Sequence, residues 1–217
     1  MRTARQRTAS STRWLERQLN DPYVAEARRL GYRSRAAFKL IELDERFHFL
    51  RPGQRVVDLG AAPGGWTQIA VRQVEAERGK GRVVGLDLLP VEPIPGAILI
   101  ERDFLAEDAP TLLREALGGP ADVVLSDLAA PTTGHAATDH RRIMALAEDA
   151  YAFAREVLAP GGTFIAKLFQ GGSEKQLLDA LKRDFLSVRH AKPPASRAES
   201  AEVYLVAQGF RGSPAAA

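Results

Sequence analysis

The sequence predicts a doubly wound α/β domain: a seven-stranded, mostly parallel sheet with helices on both faces and an antiparallel last strand. Three observations lead there. Residues 55–66, Arg-Val-Val-Asp-Leu-Gly-Ala-Ala-Pro-Gly-Gly-Trp, pass from a short apolar run through a glycine- and proline-rich turn into a helical pattern. Downstream, short Val/Ile/Leu-rich runs alternate with helix-length segments, and parallel strands need such crossovers. The 217 residues, 45% of them hydrophobic, suit one sizeable core with appendages better than two domains.

In chain order, residues 1–12 are polar, basic and rich in Ser and Thr, without apolar periodicity, and are expected to be a disordered leader. Residues 13–210 form the single domain, with 13–50 a helical extension. Trp14, Leu15, Leu19, Tyr23, Ala27 and Leu30 recur at helical spacing around Asp21-Pro22. Ser34 can cap a helix running through Leu50, with Ala37, Phe38, Leu40, Ile41, Leu43, Phe47 and Leu50 on its apolar positions and Lys39 off most of that face; Pro52-Gly53 ends it. Phe38 and Phe47 read as core at this spacing, although they and Phe49 could stack on bases. Strands follow at Val56–Leu59, Arg82–Asp87, Ala97–Ile100, Asp122–Asp127 and Thr163–Leu168, the last opened by Pro160-Gly161-Gly162. Helices fall near 67–78, 107–117, 138–158 and 173–183. Phe185–His190 and Val203–Ala207 supply a final antiparallel pair, and residues 211–217 are a tail without a core pattern.

The turn after the first strand must let something come close, since Gly60, Gly64 and Gly65 allow positive φ and a near approach of backbone. Gly60 is followed by Ala61, Ala62 and Pro63, which breaks the dinucleotide fingerprint G-x-G-x-x-G, and no G-x-x-x-x-G-K-[ST] cradle is present. A cofactor without a pyrophosphate fits better. S-adenosylmethionine is the obvious one, with Asp58 and the turn meeting its charged amino-acid end; the plainer alternative is an ordinary strand-to-helix turn. In doubly wound sheets ligands sit beyond the carboxyl ends of the strands, and three acids occupy such ends. Asp87 can accept from both ribose hydroxyls, Asp103 from the adenine amino group, and Asp127 lies next to the reactive end. One acid there is usually a turn residue or cap; three at successive ends are hard to explain that way.

Composition excludes several classes. No run approaches the ~18 apolar residues of a membrane span, and the basic N-terminus has no apolar stretch behind it to make a secretory signal. Cysteine is absent, which removes disulfides and thiolate metal sites and is compatible with the expected cytoplasmic location. The net charge of +3 is uneven. Nine arginines and Lys39 against Glu16, Asp21 and Glu26 put +7 on residues 1–39 and leave −4 on the rest, so a nucleic-acid partner is expected at the N-terminal end, with a solvated tail as the alternative. His135, Asp139 and His140 do not share one helical face, and no third histidine is nearby, so no metal site is expected.

Together with this turn, the segments Ser11-Thr12-Arg13-Trp14-Leu15, Arg33-Ser34-Arg35-Ala36-Ala37-Phe38-Lys39-Leu40, Ser126-Asp127, Leu158-Ala159-Pro160-Gly161-Gly162, Lys167-Leu168-Phe169-Gln170-Gly171 and Ser196-Arg197 through Glu202-Val203-Tyr204 make the chain resemble the FtsJ-like ribosomal RNA large-subunit methyltransferases of the RrmJ or RlmE type. The resemblance runs from about Ser10 to Gly209 and implies a Rossmann-like S-adenosylmethionine-dependent fold. The implied activity is methylation of a uridine 2′-hydroxyl in 23S ribosomal RNA, late in assembly of the 50S particle, by a monomer. It also implies a catalytic tetrad, carried here by Lys39, Asp127, Lys167 and Glu202, and cofactor contacts at Gly64, Trp66, Asp87, Asp103 and Asp127. Two positions depart from the family pattern. Asp127 is followed by Leu128-Ala129-Ala130-Pro131 in place of Asp-x-Ala-Pro-Asn, so an asparagine contact is missing, and Glu199 stands where a basic or neutral residue is expected.

These residue types suit the chemistry. A sulfonium already carries an electrophilic methyl, so the protein has to align a ribose oxygen and dispose of its proton. Lys167 could serve as base, or it could orient the hydroxyl while Asp127 takes the proton. Other readings are the same chemistry on transfer RNA or another RNA, a non-catalytic RNA-binding assembly factor, and a nicotinamide oxidoreductase, the last disfavoured by the broken glycine fingerprint.

Overall fold

A computed structural model describes residues 21–131, 133–170 and 174–212. The leader 1–12, the Trp14 to Leu19 part of the extension, Gly171 and all but Arg211 and Gly212 of the tail lie outside the described residues. Within them the chain forms α1 (Pro22–Arg29), α2 (Ala36–Phe47), β1 (Arg55–Leu59), α3 (Gly65–Val74), a 3-10 turn (Ala76–Arg78), β2 (Arg82–Asp87), β3 (Ala97–Glu101), α4 (Ala109–Leu117), β4 (Ala121–Ser126), α5 (Ala136–Val157), β5 (Leu158–Phe169), α6 (Lys175–Asp184), β6 (Phe185–Ala191) and β7 (Glu202–Phe210).

The seven strands make one sheet in the order β3-β2-β1-β4-β5-β7-β6. β1 to β5 pair in parallel, whereas β7 slots between β5 and β6 and runs antiparallel to both. Strand periodicity distributes the apolar side chains between two faces. Val57, Val84, Val124, Phe164 and Leu205 pack under α4, α5 and α6, while Val56, Val83, Val123, Ile165 and Val206 pack under α2 and α3. Both faces are covered, which is why the central strands read as near-continuous apolar runs. The α2 face is led by Leu40 and Leu43, both buried, each adding about 1.5–3 kcal/mol relative to exposure.

Some boundaries differ from expectation for a clear local reason. α2 stops at Phe47, because His48 takes φ 52° and the buried Asp44 carboxylate accepts the N–H groups of Phe49 and Leu50 at 3.0 and 2.8 Å. Phe49 and Leu50 keep the apolar pattern, but they enter the core from the loop after the helix. Nor does Ser34 cap the helix: Arg35 holds the N-cap position, and the Ser34 hydroxyl is buried without a partner among the described residues. β5 begins before Pro160, since Leu158 already pairs with Ala121 and a bulge absorbs the residues between that pair and Val123↔Thr163.

Candidate active site

The site lies at the carboxyl ends of β1 to β5, where β7 begins. Period-two alternation along β5 puts Lys167 on the same face as Ile165, towards α2, and the antiparallel register sets Lys167 opposite Tyr204 and Phe169 opposite Glu202. Lys39, one turn along α2, reaches down onto β7. Its ammonium meets Glu202 at 2.7 Å and the Tyr204 hydroxyl at 3.3 Å. Tyr204 donates to Asp127 Oδ1 at 2.9 Å. Lys167 Nζ contacts that same carboxylate at 3.1 Å and donates to the Asp127 backbone carbonyl at 2.7 Å. The four tetrad residues therefore form one chain of contacts with Tyr204 at its centre.

Sequence reasoning passes over Tyr204 as a site residue. It is fully buried, its ring is 5.5 Å from that of Trp66, and burial, reinforced by the Asp127 and Glu202 carboxylates, pushes its hydroxyl well above the ordinary tyrosine range. A tyrosine held neutral in this way is a dependable donor. Its position two residues after Glu202, hence on the same face of the strand, is the available signal. Ser196 is passed over as well: its hydroxyl donates to Glu202 Oε1 at 2.8 Å, and the segment around it is tied to α2 by Ala195, whose N–H reaches Glu42 at 2.7 Å and whose carbonyl accepts from Arg35. Beside Lys39 and Glu202 opens a cavity of about 420 Å³ lined also by Arg35, Arg197, Ser200 and Glu199, so an acid shares this wall with two arginines.

The turn that follows β1 is built for close approach. Gly60, at φ 83°, lies so near the start of the β4 exit that a Cβ there would come within 2.9 Å of the Leu128 nitrogen. Gly64, at φ 114°, has a different reason to be glycine: its Cβ would meet Ile94 and Arg33. Arg33 clamps the turn from outside, donating to the carbonyls of Pro63, Glu92 and Pro93. Trp66 is buried, and its indole N–H donates to the Ala36 carbonyl at 2.8 Å, so this side chain ties α3 to α2 and only its backbone N–H faces the start of the helix.

The acids in and beyond these strands divide by environment. Asp58 occupies a core position on the α3 face, where Thr67 donates to its Oδ2 at 2.7 Å and its Oδ1 has no partner among the described residues. Burial raises its carboxyl from 3.8 to about 7; the Thr67 hydrogen bond opposes the shift, and Asp127 and Asp87 add to it. Asp87 accepts from the N–H of Ala62 and of Leu89, both at 2.8 Å, so it fixes the glycine turn and keeps lone pairs for a ligand. Asp103 is exposed and uses Oδ1 on the N–H of Leu105 at 3.0 Å. Asp139 is taken up by Thr133 and Gly134, and no group of three or more metal-ligating side chains occurs among the described residues.

An orphaned, buried carboxylate oxygen, the free N–H groups at the start of α3 and two acids at the next strand ends fit a cofactor that bears a cation, a carboxylate and a ribose. Fold and site together define a Rossmann-like transferase with its ligand-binding edge at the carboxyl ends of the strands. The chain belongs to the FtsJ-like methyltransferase family, whose model matches residues 32–210. Methyltransferases of this kind take a methyl donor of the S-adenosylmethionine type. Relatives named ribosomal RNA large subunit methyltransferase E are 70% identical over 98% of this chain and 88% of the relative in Paramagnetospirillum magneticum, and 62% identical over 98% and 86% in Parvibaculum lavamentivorans. A crystal structure described as a ribosomal RNA methyltransferase from Plasmodium falciparum superposes with a TM-score of 0.74 at 31% identity, covering 84% of this chain and all of that one.

Proposed function

We propose that this chain is an S-adenosylmethionine-dependent methyltransferase acting on the 2′-hydroxyl of a uridine in large-subunit ribosomal RNA, as a cytoplasmic monomer and with the 50S particle as substrate. The observation that carries it is the continuous contact chain from Lys39 through Glu202, Tyr204 and Asp127 to Lys167, set beside the glycine turn. The names of the relatives support ribosomal RNA as the substrate class. Residues 13–50 and the leader before them, with their excess of arginine, are assigned to RNA.

In this reading Asp58, Gly60, Gly64, the N–H groups of α3 including that of Trp66, Asp87, Asp103 and Asp127 hold S-adenosylmethionine, which supplies an electrophilic methyl on a sulfonium. The roles of the remaining groups follow from their donors. An ammonium has three N–H bonds, and Lys167 spends one on the Asp127 carbonyl while its charge pairs with the Asp127 carboxylate, which leaves a donor for the ribose oxygen. Lys167 therefore orients the hydroxyl and stabilises negative charge as it develops there. Oδ1 of Asp127 is taken by Lys167 and Tyr204, so its other oxygen receives the proton. Lys39, fixed by Glu202, adds a second positive charge on the substrate side. Mapping 2′-O-methylation on large-subunit RNA, with purified particles, free ribosomal RNA and transfer RNA offered separately, tests the whole reading. Methylation confined to transfer RNA, or none with any of the three, would overturn it.

A further inference from the structure

Away from the site, at the opposite end of the sheet, the amino ends of β1, β2 and β3 enclose a cavity of about 600 Å³. Its charged lining residues are Arg55, Lys80 and Arg82, with no acid among them. Arg55 and Arg82 are partners in the β1–β2 register, so two residues of like charge start side by side from strands about 4.8 Å apart, a pairing that is unfavourable by itself. Neither arginine has a carboxylate partner in an ion pair among the described residues. Their guanidinium groups are nonetheless seated: a Cβ at Gly118 would come within 3.0 Å of Arg82 and one at Gly119 within 3.1 Å of Arg55. Part of this has a structural use, since Arg82 donates to the Ala116 carbonyl at the end of α4 and Lys80 pairs with Glu75 at 2.8 Å. Arg82 commits one of its five N–H groups that way, and Arg55 commits no side-chain N–H to a hydrogen bond among the described residues.

We infer that this basic groove is a second RNA contact, binding a phosphodiester of the substrate RNA at the end of the sheet opposite the methyl-transfer site. It rests on the ribosomal RNA reading above. Paired forks match phosphate oxygens, and an incoming phosphate relieves the repulsion between Arg55 and Arg82. The β-strands between the two sites are five or six residues long, or roughly 20 Å, so an RNA of more than a few nucleotides is needed to reach both.

The test compares the full chain with the double variant Arg55→Gln, Lys80→Gln and with the charge-preserving double variant Arg55→Lys, Lys80→Arg; Arg82 is left in place because it also holds α4. Binding to large-subunit ribosomal RNA is measured across a salt series, alongside S-adenosylmethionine affinity, thermal midpoint and inorganic phosphate titration. Removing one phosphate contact should flatten the slope of log K on log salt by roughly 0.7–0.9, so the neutral variant, which loses the one phosphodiester, should lose about that much in slope. Cofactor affinity should stay put, and the charge-preserving variant should keep the wild-type slope. If the wild type methylates RNA and the neutral variant has the same slope, the inference is wrong while the functional reading stands. An equal loss in both variants, or abolished phosphate binding with an unchanged RNA slope, also overturns it, the latter making the groove a small-anion site. A wild type that binds no RNA refutes the functional reading, and this inference with it.

Discussion

Replacing Asp58 with asparagine should make the stability of this protein rise relative to wild type as pH increases. The Asp58 carboxyl is fully buried, and its folded-state value of about 7 stands above the ordinary 3.8. Between those limits the folded state holds a proton that the unfolded chain has released, so folding takes up a proton and stability falls with rising pH. At about 1.4 kcal/mol per pH unit the loss approaches roughly 4 kcal/mol, complete just above pH 7 and fully regained below about pH 4. Asparagine at this position does not titrate. Its amide leaves an N–H without a partner where Oδ1 now lies, at a cost independent of pH, so the readout is the change in the difference between the two proteins and not its absolute size. Urea unfolding of both, cofactor-free, from about pH 4 to 8 should show the variant gaining several kcal/mol on wild type across that range. With the cofactor's positive charge assigned to the ionised Asp58 carboxylate in the proposed reading, wild-type affinity for S-adenosylmethionine should also climb through pH 7, and the variant's should not. A stability difference that stays flat over the whole range would refute the burial argument.

Other substitutions divide the site by role. Lys167→Ala should abolish methyl transfer in a single-turnover assay while calorimetry still shows cofactor binding; substantial activity in Lys167→Arg would favour orientation over proton abstraction, because arginine keeps its charge and does not give up a proton. Asp87→Ala should weaken cofactor affinity by about 1.5–3 kcal/mol, the range for hydrogen bonds to a charged acceptor, and should loosen the turn whose Ala62 N–H it holds; unchanged affinity would remove Asp87 from the site. Tyr204→Phe should leave the fold intact, and turnover should drop with little effect on cofactor affinity, since the hydroxyl touches Asp127 and Lys39 and the ring alone packs on Trp66. Deleting residues 1–12 should flatten the salt dependence of RNA binding by removing Arg2, Arg5 and Arg7, and an identical slope would mark the leader as passive.

The strands around the turn are legible in the sequence because each central strand is buried on both faces and so must be apolar along its length, and because a broken glycine fingerprint is a local feature. Asp87, Asp103 and Asp127 stand out for the same reason, being acids at or just past the ends of such runs, and Asp58 stands out as the one acid inside them. The end of α2 is not legible: apolar spacing continues to Leu50, and what stops the helix is the side chain of Asp44 capturing two N–H groups, a contest that periodicity does not register. Lys39 and Glu202 lie 163 positions apart, and neither belongs to any local pattern that marks it. Only the resemblance singles them out, and even then Tyr204, at the centre of the contact chain, is no more than a motif letter.

The one strand that departs from the parallel sheet is the strand that completes the site. In a parallel arrangement the start of β7 would lie at the amino end of β5, far from the ligand edge, and Glu202 would face the bottom of the sheet. Running antiparallel, β7 brings its first residues to the carboxyl end of β5, so that Glu202 sits opposite Phe169 and Tyr204 opposite Lys167. The helical extension then needs only to lay α2 across this corner for Lys39 to close on Glu202. The proposed transfer to a ribose hydroxyl needs donors and acceptors gathered around one oxygen. Here two come from the parallel half of the sheet, Asp127 at the end of β4 and Lys167 on β5, and two from the parts that break its pattern, Glu202 on the reversed strand and Lys39 on the helix that precedes the sheet. A change that disturbs the reversed pairing without touching any of the four, such as proline in place of Leu205, should therefore cost activity along with stability, whereas the same damage at edge strand β3 should cost stability and cofactor affinity but leave the Lys39–Glu202 contact in place.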